Sequence, residues 1–164
     1  MLQEDKELLL KDLSARLLYG VYVQTKASDE ITTEGILWDV GYDETESFIF
    51  CKGSSLGYSI DDDIIKPYLR PMSSMTEEER KDLLVTIVGN EGVKYFQVLS
   101  DGSIDNTDAA HQDLHNFTMH WINFDKDTVT LYLDWLNRHH FDYRGLIPKG
   151  LAIEVTEKNN PYKE

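Results

Sequence analysis

Val21-Tyr22-Val23-Gln24-Thr25 sets Val21 and Val23 against Tyr22 and Gln24, and this alternation decides the fold class. A period of two puts successive side chains on opposite faces of a β-strand, one facing a core and one facing water. The pattern resumes through residues 31–39 and 47–52, with Gly, Asp and Glu between the runs. Short alternating runs with polar turns predict an antiparallel meander able to curl into a small SH3-like barrel. Asp43-Glu44-Thr45-Glu46 is the expected turn between two of its strands. Downstream, Ile64-Ile65-Lys66-Pro67-Tyr68-Leu69-Arg70-Pro71 carries two prolines. Proline has no N–H to give a ladder, so this run reads as an edge strand or extended connector and not as a central strand.

Helical signals flank the strands. Leu8, Leu9, Leu10, Leu13 and Leu17 recur at helical spacing from Glu4 to about Leu18, with acids in the first turn and Gly20 to end the helix. Thr76-Glu77-Glu78-Glu79 fits a capping box, in which Thr76 closes onto the third helical N–H and Glu79 reaches back to the cap. Leu83, Leu84, Ile87 and Val88 form its buried stripe and Gly89 stops it. Residues 93–99 alternate as a strand, Asp101-Gly102 marks a turn, and 103–120 show no dominant period. A last helix, capped by Asp125 or Asp127, runs to about His140 with Val129, Tyr132, Leu133 and Leu136 on its face and Leu131 and Trp135 widening it. Residues 143–155 read as a turn and a short strand. The predicted class is α+β, a small antiparallel sheet with three main helices. Residues 1–156 form one domain, and the polar tail 157–164 is expected to fray.

The charge is segregated. Residues 28–63 hold ten acids against Lys52, and residues 100–127 hold six against Lys126, so nets of −9 and −5 account for the whole −14. Residues 1–27, 64–99 and 128–164 each balance to zero. Such a field repels nucleic-acid phosphate and attracts basic protein surfaces. No window approaches the ~20 apolar residues of a membrane helix. Met1-Leu2-Gln3-Glu4-Asp5 opens acidic where a signal peptide would be basic, so a cytoplasmic protein is expected. Cys51 is the only cysteine and follows Phe48, Ile49 and Phe50, which predicts a buried, inert thiol.

Three passages carry a resemblance. They are Lys11-Asp12-Leu13-Ser14-Ala15-Arg16-Leu17 with Tyr19-Gly20-Val21, the run from Ile65 through Arg70 and Thr76 to Glu79, and Trp135-Leu136 with His140-Phe141-Asp142-Tyr143-Arg144-Gly145-Leu146-Ile147-Pro148-Lys149-Gly150-Leu151-Ala152. Together they resemble an uncharacterised family of small proteins from prophage and mobile-element regions of gut anaerobic bacteria. The resemblance implies a provenance and an order of elements, and no catalytic residue. All three passages lie in the charge-balanced segments.

Candidate sites each have a structural reading beside the functional one. His111 and His115, four apart near Asp108 and Asp113, would share a helix face as a divalent metal site needs, but no third ligand is evident and the structural reading is favoured. The loop from Asp101 to Asp108 lacks the order of a calcium loop and reads as a turn. Asp61-Asp62-Asp63, with Asp43, Glu44 and Glu46, offers carboxylates to a basic partner, and a solvated turn is the plainer account. His139, His140, Asp142, Tyr143 and Arg144 form the densest cluster capable of acid–base chemistry or anion binding. Tyr143 and Arg144 are expected to pin the end of the last helix to the barrel, and Arg70 to serve a similar crowded junction.

No phosphate loop, dinucleotide fingerprint or nucleophile elbow occurs, and one cysteine excludes thiolate zinc clusters. No cofactor is expected. The leading expectation is a non-catalytic interaction or regulatory protein with a basic-surfaced protein partner. The alternatives are an acidic nucleic-acid mimic that occupies a DNA-binding protein, and a metal-dependent hydrolase using His111 and His115. Direct nucleic-acid binding is not expected, because no basic stripe with interleaved aromatics exists.

Overall fold

The structure, a computed structural model, describes residues 1–26, 32–42, 47–54, 57–60, 64–112 and 126–163. Among them are four α-helices and two β-sheets, a mixed α+β architecture. The chain divides into two compact units, residues 1–70 with 140–164, and residues 71–139. No helix among the described residues is long and apolar enough to cross a membrane.

The first unit opens with α1 (Gln3–Arg16), which passes through a 3₁₀ turn into Gly20 at φ 65°, the left-handed stop that glycine adopts without strain. Its sheet holds β1 (Tyr22–Lys26), β2 (Thr32–Tyr42), β3 (Ser47–Cys51), β4 (Gly57–Ser59), β5 (Ile64–Leu69) and, near the C-terminus, a short strand (Ile153–Glu154, β8). The spatial order is β4-β3-β2-β1-β5-β8, antiparallel throughout except for the β5–β8 pair. The meander is therefore present, but the sheet is open, with β4 and β8 at its edges, and does not close into a barrel. A bulge between Leu37 and Asp39 shifts the register of β2 against β3, and Trp38 within it is exposed. Val21, Val23, Leu37, Ile49, Ile65 and Leu69 line the inner face and pack with Leu9 and Leu13 of α1 and with Leu146 and Leu151. The predicted alternation is thus the alternation of burial.

The proline-bearing run departs from expectation, since β5 lies between β1 and β8. The reason is local. Leu69, two residues after Pro67 and so facing the same way, gives its carbonyl to the Val155 N–H at 2.8 Å. The missing N–H of Pro67 therefore faces the β8 side, where pairing starts only at Tyr68. No ladder bond is lost, and the rule against central proline is met one residue at a time.

The second unit contains α2 (Glu77–Gly92), β6 (Phe96–Val98), β7 (Ile104–Asn106), α3 (Asp108–Gln112) and α4 (Lys126–Arg138). The capping box is present in both directions: Glu79 N–H donates to Thr76 Oγ1 (3.2 Å), and Thr76 N–H donates to Glu79 Oε2 (2.9 Å). Gly89 breaks the helix at φ 71°, ψ 172°, and one further turn follows to Gly92. Within α4, Trp135 and Leu136 are buried while Val129 and Leu131 are exposed, so the predicted apolar face is buried only toward its C-terminal end. Trp135 Nε1 donates to Asp82 Oδ2 at 2.7 Å and ties α4 to α2. The expected cap at Asp125 lies outside the described residues. The stretch that showed no period supplies β7 and α3, of three and five residues, both too short for a period to register.

Candidate functional site

Among the described residues of the first unit, buried charge gathers where the three passages singled out in the sequence meet. Helical spacing of four places Asp12 and Arg16 on the face of α1 that also buries Leu9 and Leu13, and both charged side chains are fully buried. Arg16 grips the carboxylate with two bonds, Nε to Oδ2 at 2.7 Å and Nη2 to Oδ1 at 3.0 Å, and Nη2 also donates to the Phe141 carbonyl at 2.7 Å. The planar fork of a guanidinium matches a carboxylate in this way. Arg144 brings a second cation, its Nε 3.3 Å from Asp12 Oδ1, near enough for an ion pair though not aligned for a hydrogen bond. Both guanidiniums lie over the Tyr143 ring, at 5.5 Å for Arg16 and 4.7 Å for Arg144. The ring's electron-rich face offers the buried Arg16 Nη1, which has no hydrogen-bond partner among the described residues, a favourable surface.

The second passage enters through β5. Arg70 N–H donates to the His140 carbonyl (2.9 Å), its carbonyl accepts from Asp142 N–H (2.8 Å), and its guanidinium lies 4.3 Å above the Phe141 ring. Asp142 is occupied by the turn that follows it. Its Oδ1 accepts from Leu146 N–H at 2.8 Å and its Oδ2 from Ile147 N–H at 2.7 Å, around Gly145 at φ 74°. His140 takes a left-handed conformation, φ 59°, and stacks on Tyr162 with ring centroids 4.0 Å apart.

Tyr162 comes from the segment expected to fray. Its hydroxyl accepts from Tyr22 N–H (3.2 Å) and donates to the Tyr68 carbonyl (2.8 Å), bridging β1 and β5 where their direct pairing has ended at Val23 and Pro67. Burial, the leading cause, raises this phenol well above its ordinary value. Thr156 and Asn159 hydrogen-bond each other on the way, so the tail is tied back to the sheet. On the β1–β2–β5 surface, Tyr68 donates to Glu34 Oε1 at 2.6 Å and Gln24 donates to the same oxygen at 3.0 Å. Burial and then the Glu34 bond push the Tyr68 phenol up to about 12, while the Tyr68 bond holds Glu34 below its usual range. Burial also raises the Cys51 thiol, as its apolar neighbours led one to expect.

Of the residues singled out by sequence, Tyr143 and Arg144 belong to this junction, where they face Asp12 and Arg16 on α1. Asp43, Glu44, Glu46, Asp61, Asp62, Asp63 and His115 lie outside the described residues, as does the side chain of His111. Among the described residues no three His, Cys, Asp or Glu side chains are grouped to hold a metal ion. Asp12 and Asp142 were not foreseen as the anchors. An Asp–Arg pair at spacing four within a leucine-rich face was the available signal for the first, and the glycine three residues on was the signal for the second.

The second unit presents a different feature, a cavity of about 640 Å³ between α2 and β6. Leu84, Val93 and Leu99 supply apolar lining, and Glu77, Glu78 and Lys81 supply charge.

Comparison with known proteins gave no match: no family model, no curated protein and no solved structure is significantly similar to this chain.

Proposed function

We propose that the protein is a non-catalytic interaction protein, of the regulatory kind expected from mobile elements, engaging a protein partner with a basic surface. The observation that carries this reading is how the junction spends its charged groups. Both oxygens of Asp12 are held by Arg16, one is shared with Arg144, and both oxygens of Asp142 are held by turn amides. A general acid or base needs a face toward substrate, and these groups face the fold. The residues of the three passages that meet at the junction are thereby accounted for as scaffold. The acidic stretches lie outside those passages, and their net of −14 favours a basic partner.

The test replaces Asp43, Glu44, Glu46, Asp61, Asp62 and Asp63 with alanine and compares proteins captured by tagged wild type and variant at low and high salt. Loss of the salt-sensitive partners is expected. Identical capture by both forms would remove the reading.

A further inference from the structure

In the second unit one strand edge, beside a helix, has no neighbouring strand among the described residues. Leu99 N–H donates to the Ser103 carbonyl (2.8 Å) and Thr107 N–H to the Tyr95 carbonyl (2.9 Å), so residues 95 and 99 turn their amide groups toward β7. By strand alternation Val98, paired across from Ile104, turns its own N–H and C=O to the opposite edge. The two groups fare differently there. The carbonyl accepts from Arg80 Nη1 at 2.9 Å, whereas the N–H has no partner among the described residues, although Val98 is only 5% exposed. Backbone donors left without a partner inside a protein are rare, and one at a strand edge is a template for an added strand.

What faces this edge is the cavity of about 640 Å³. Arg80 forms its fixed wall, since Nε and Nη2 both donate to the Met75 carbonyl at 3.3 Å while Nη1 holds Val98. Leu84 and Val93 form an apolar floor, and Glu77 and Glu78 stand at the rim on the exposed first turn of α2, with Lys81 one turn on.

We propose that this cleft takes an extended peptide segment of a partner protein, which adds to β6 as a strand. A peptide carbonyl accepts the Val98 N–H, an apolar side chain covers Leu84 and Val93, and a basic side chain meets Glu77 and Glu78. Strand addition supplies affinity from the main chain and specificity from alternate side chains. At the rim Glu77 and Glu78 face one exposed cation, Lys81, because the Arg80 guanidinium is turned onto the Met75 and Val98 carbonyls, so the rim favours a basic segment over an acidic one. The inference rests on the interaction reading and names the chemistry of one partner segment.

The probe is a capped, fluorescein-labelled Lys-Val-Lys-Val-Lys-Val peptide, titrated into the full chain and followed by anisotropy and amide NMR. Saturable binding that shifts the Val98 amide is expected, with the Glu-Val counterpart bound at least about tenfold more weakly. N-methylation of one alternate set of peptide amides abolishes binding, because those amides face β6, and methylation of the other set leaves it intact. Glu77→Gln with Glu78→Gln weakens the Lys-Val peptide severalfold, and Val98→Pro, which removes an N–H that the β7 ladder does not use, abolishes its binding. Should Val98→Pro fail to fold, the two methylated peptides on wild-type protein decide the matter. Equal binding of both methylated forms, equal binding of the Lys and Glu peptides, or no binding overturns the proposal. Self-association through this edge, seen by sedimentation and competed by no peptide, would assign it to a second copy and overturn it too. If the peptide fails while the acidic-stretch variant still loses its captured partners, the cleft is wrong and the interaction reading stands. The opposite pattern removes the interaction surface proposed for the acidic stretches and keeps the cleft.

Discussion

The junction around Asp12 and the edge of β6 bury polar groups to opposite ends. At the junction, two guanidiniums converge on one carboxylate, and neighbouring turn amides occupy another. At the β6 edge, Arg80 satisfies the Val98 carbonyl and leaves the adjoining N–H without a partner among the described residues. Buried polar groups are costly unless paired, so the first arrangement locks segments together and the second leaves a donor for something else to satisfy. The comparison separates residues that hold the fold from residues available for recognition, a distinction that charge and exposure alone would blur.

The largest expected effect breaks the junction. Arg16→Met leaves Asp12 buried with a single, poorly aligned cation, and a loss of about 3–5 kcal/mol is expected from denaturant unfolding. Asp12→Leu combined with Arg16→Met should cost less than Arg16→Met alone, because no buried carboxylate is then stranded. If the single and double variants are equally unstable, the pair does not act as a unit. Next is Asp142→Ala, which strips acceptors from Leu146 and Ile147 N–H and should cost about 2–4 kcal/mol, with faster hydrogen exchange at those two amides.

Tyr162→Phe removes the hydroxyl between Tyr22 and Tyr68, for a loss of about 1–3 kcal/mol and faster exchange of the Tyr22 amide. Unchanged exchange there would show that the tail merely rests on the sheet. A pH effect is smaller and specific in sign. Because the Tyr68 phenol is raised to about 12 from 10.0, the folded state holds its proton more tightly than the unfolded chain. Its stabilising contribution is complete below pH 10, and it is lost as pH rises through about 12. Spectroscopic titration of tyrosinate with Tyr68→Phe as reference should reveal the late phenol, and Glu34→Gln should lower its value. The smallest effect belongs to the cleft. Glu77→Gln with Glu78→Gln removes exposed helix-end charge and the loose 4.0 Å pair of Glu77 with Arg80, and should change stability by about 1 kcal/mol or less, against its severalfold effect on peptide binding. A large loss of stability would place these acids with the junction residues and not with recognition.

Much of this could be read from the chain, and the exceptions have identifiable physics. The strands at 22–26 and 47–51 and the capped helix at 77 follow from local rules: alternation, spacing and a reciprocal cap. β5 contradicted its reading because the prohibition on proline depends on which edge its missing N–H faces, and that depends on a neighbour 88 residues away, at Val155. Asp12 and Arg16 escaped notice because acid–base pairs at spacing four usually lie on the helix surface, and nothing local says that Phe141 and Arg144 will cover them. Tyr143 and Arg144 were marked as a cluster, yet their partner on α1 was not. Tyr162 gave no signal at all.

By itself the sequence determined the class of the fold, the identity of most of its strands and helices, and the segregation of acids from scaffold. Periodicity and capping act within a few residues, and composition needs no coordinates. Only the tertiary structure decided that the sheet stays open, that three distant passages meet around residues 140–142, and that the tail closes a gap between β1 and β5. It alone exposed a donor at β6 that has no partner among the described residues. Each of these is a pairing between groups far apart in sequence, set by which edges and faces the packed chain brings together.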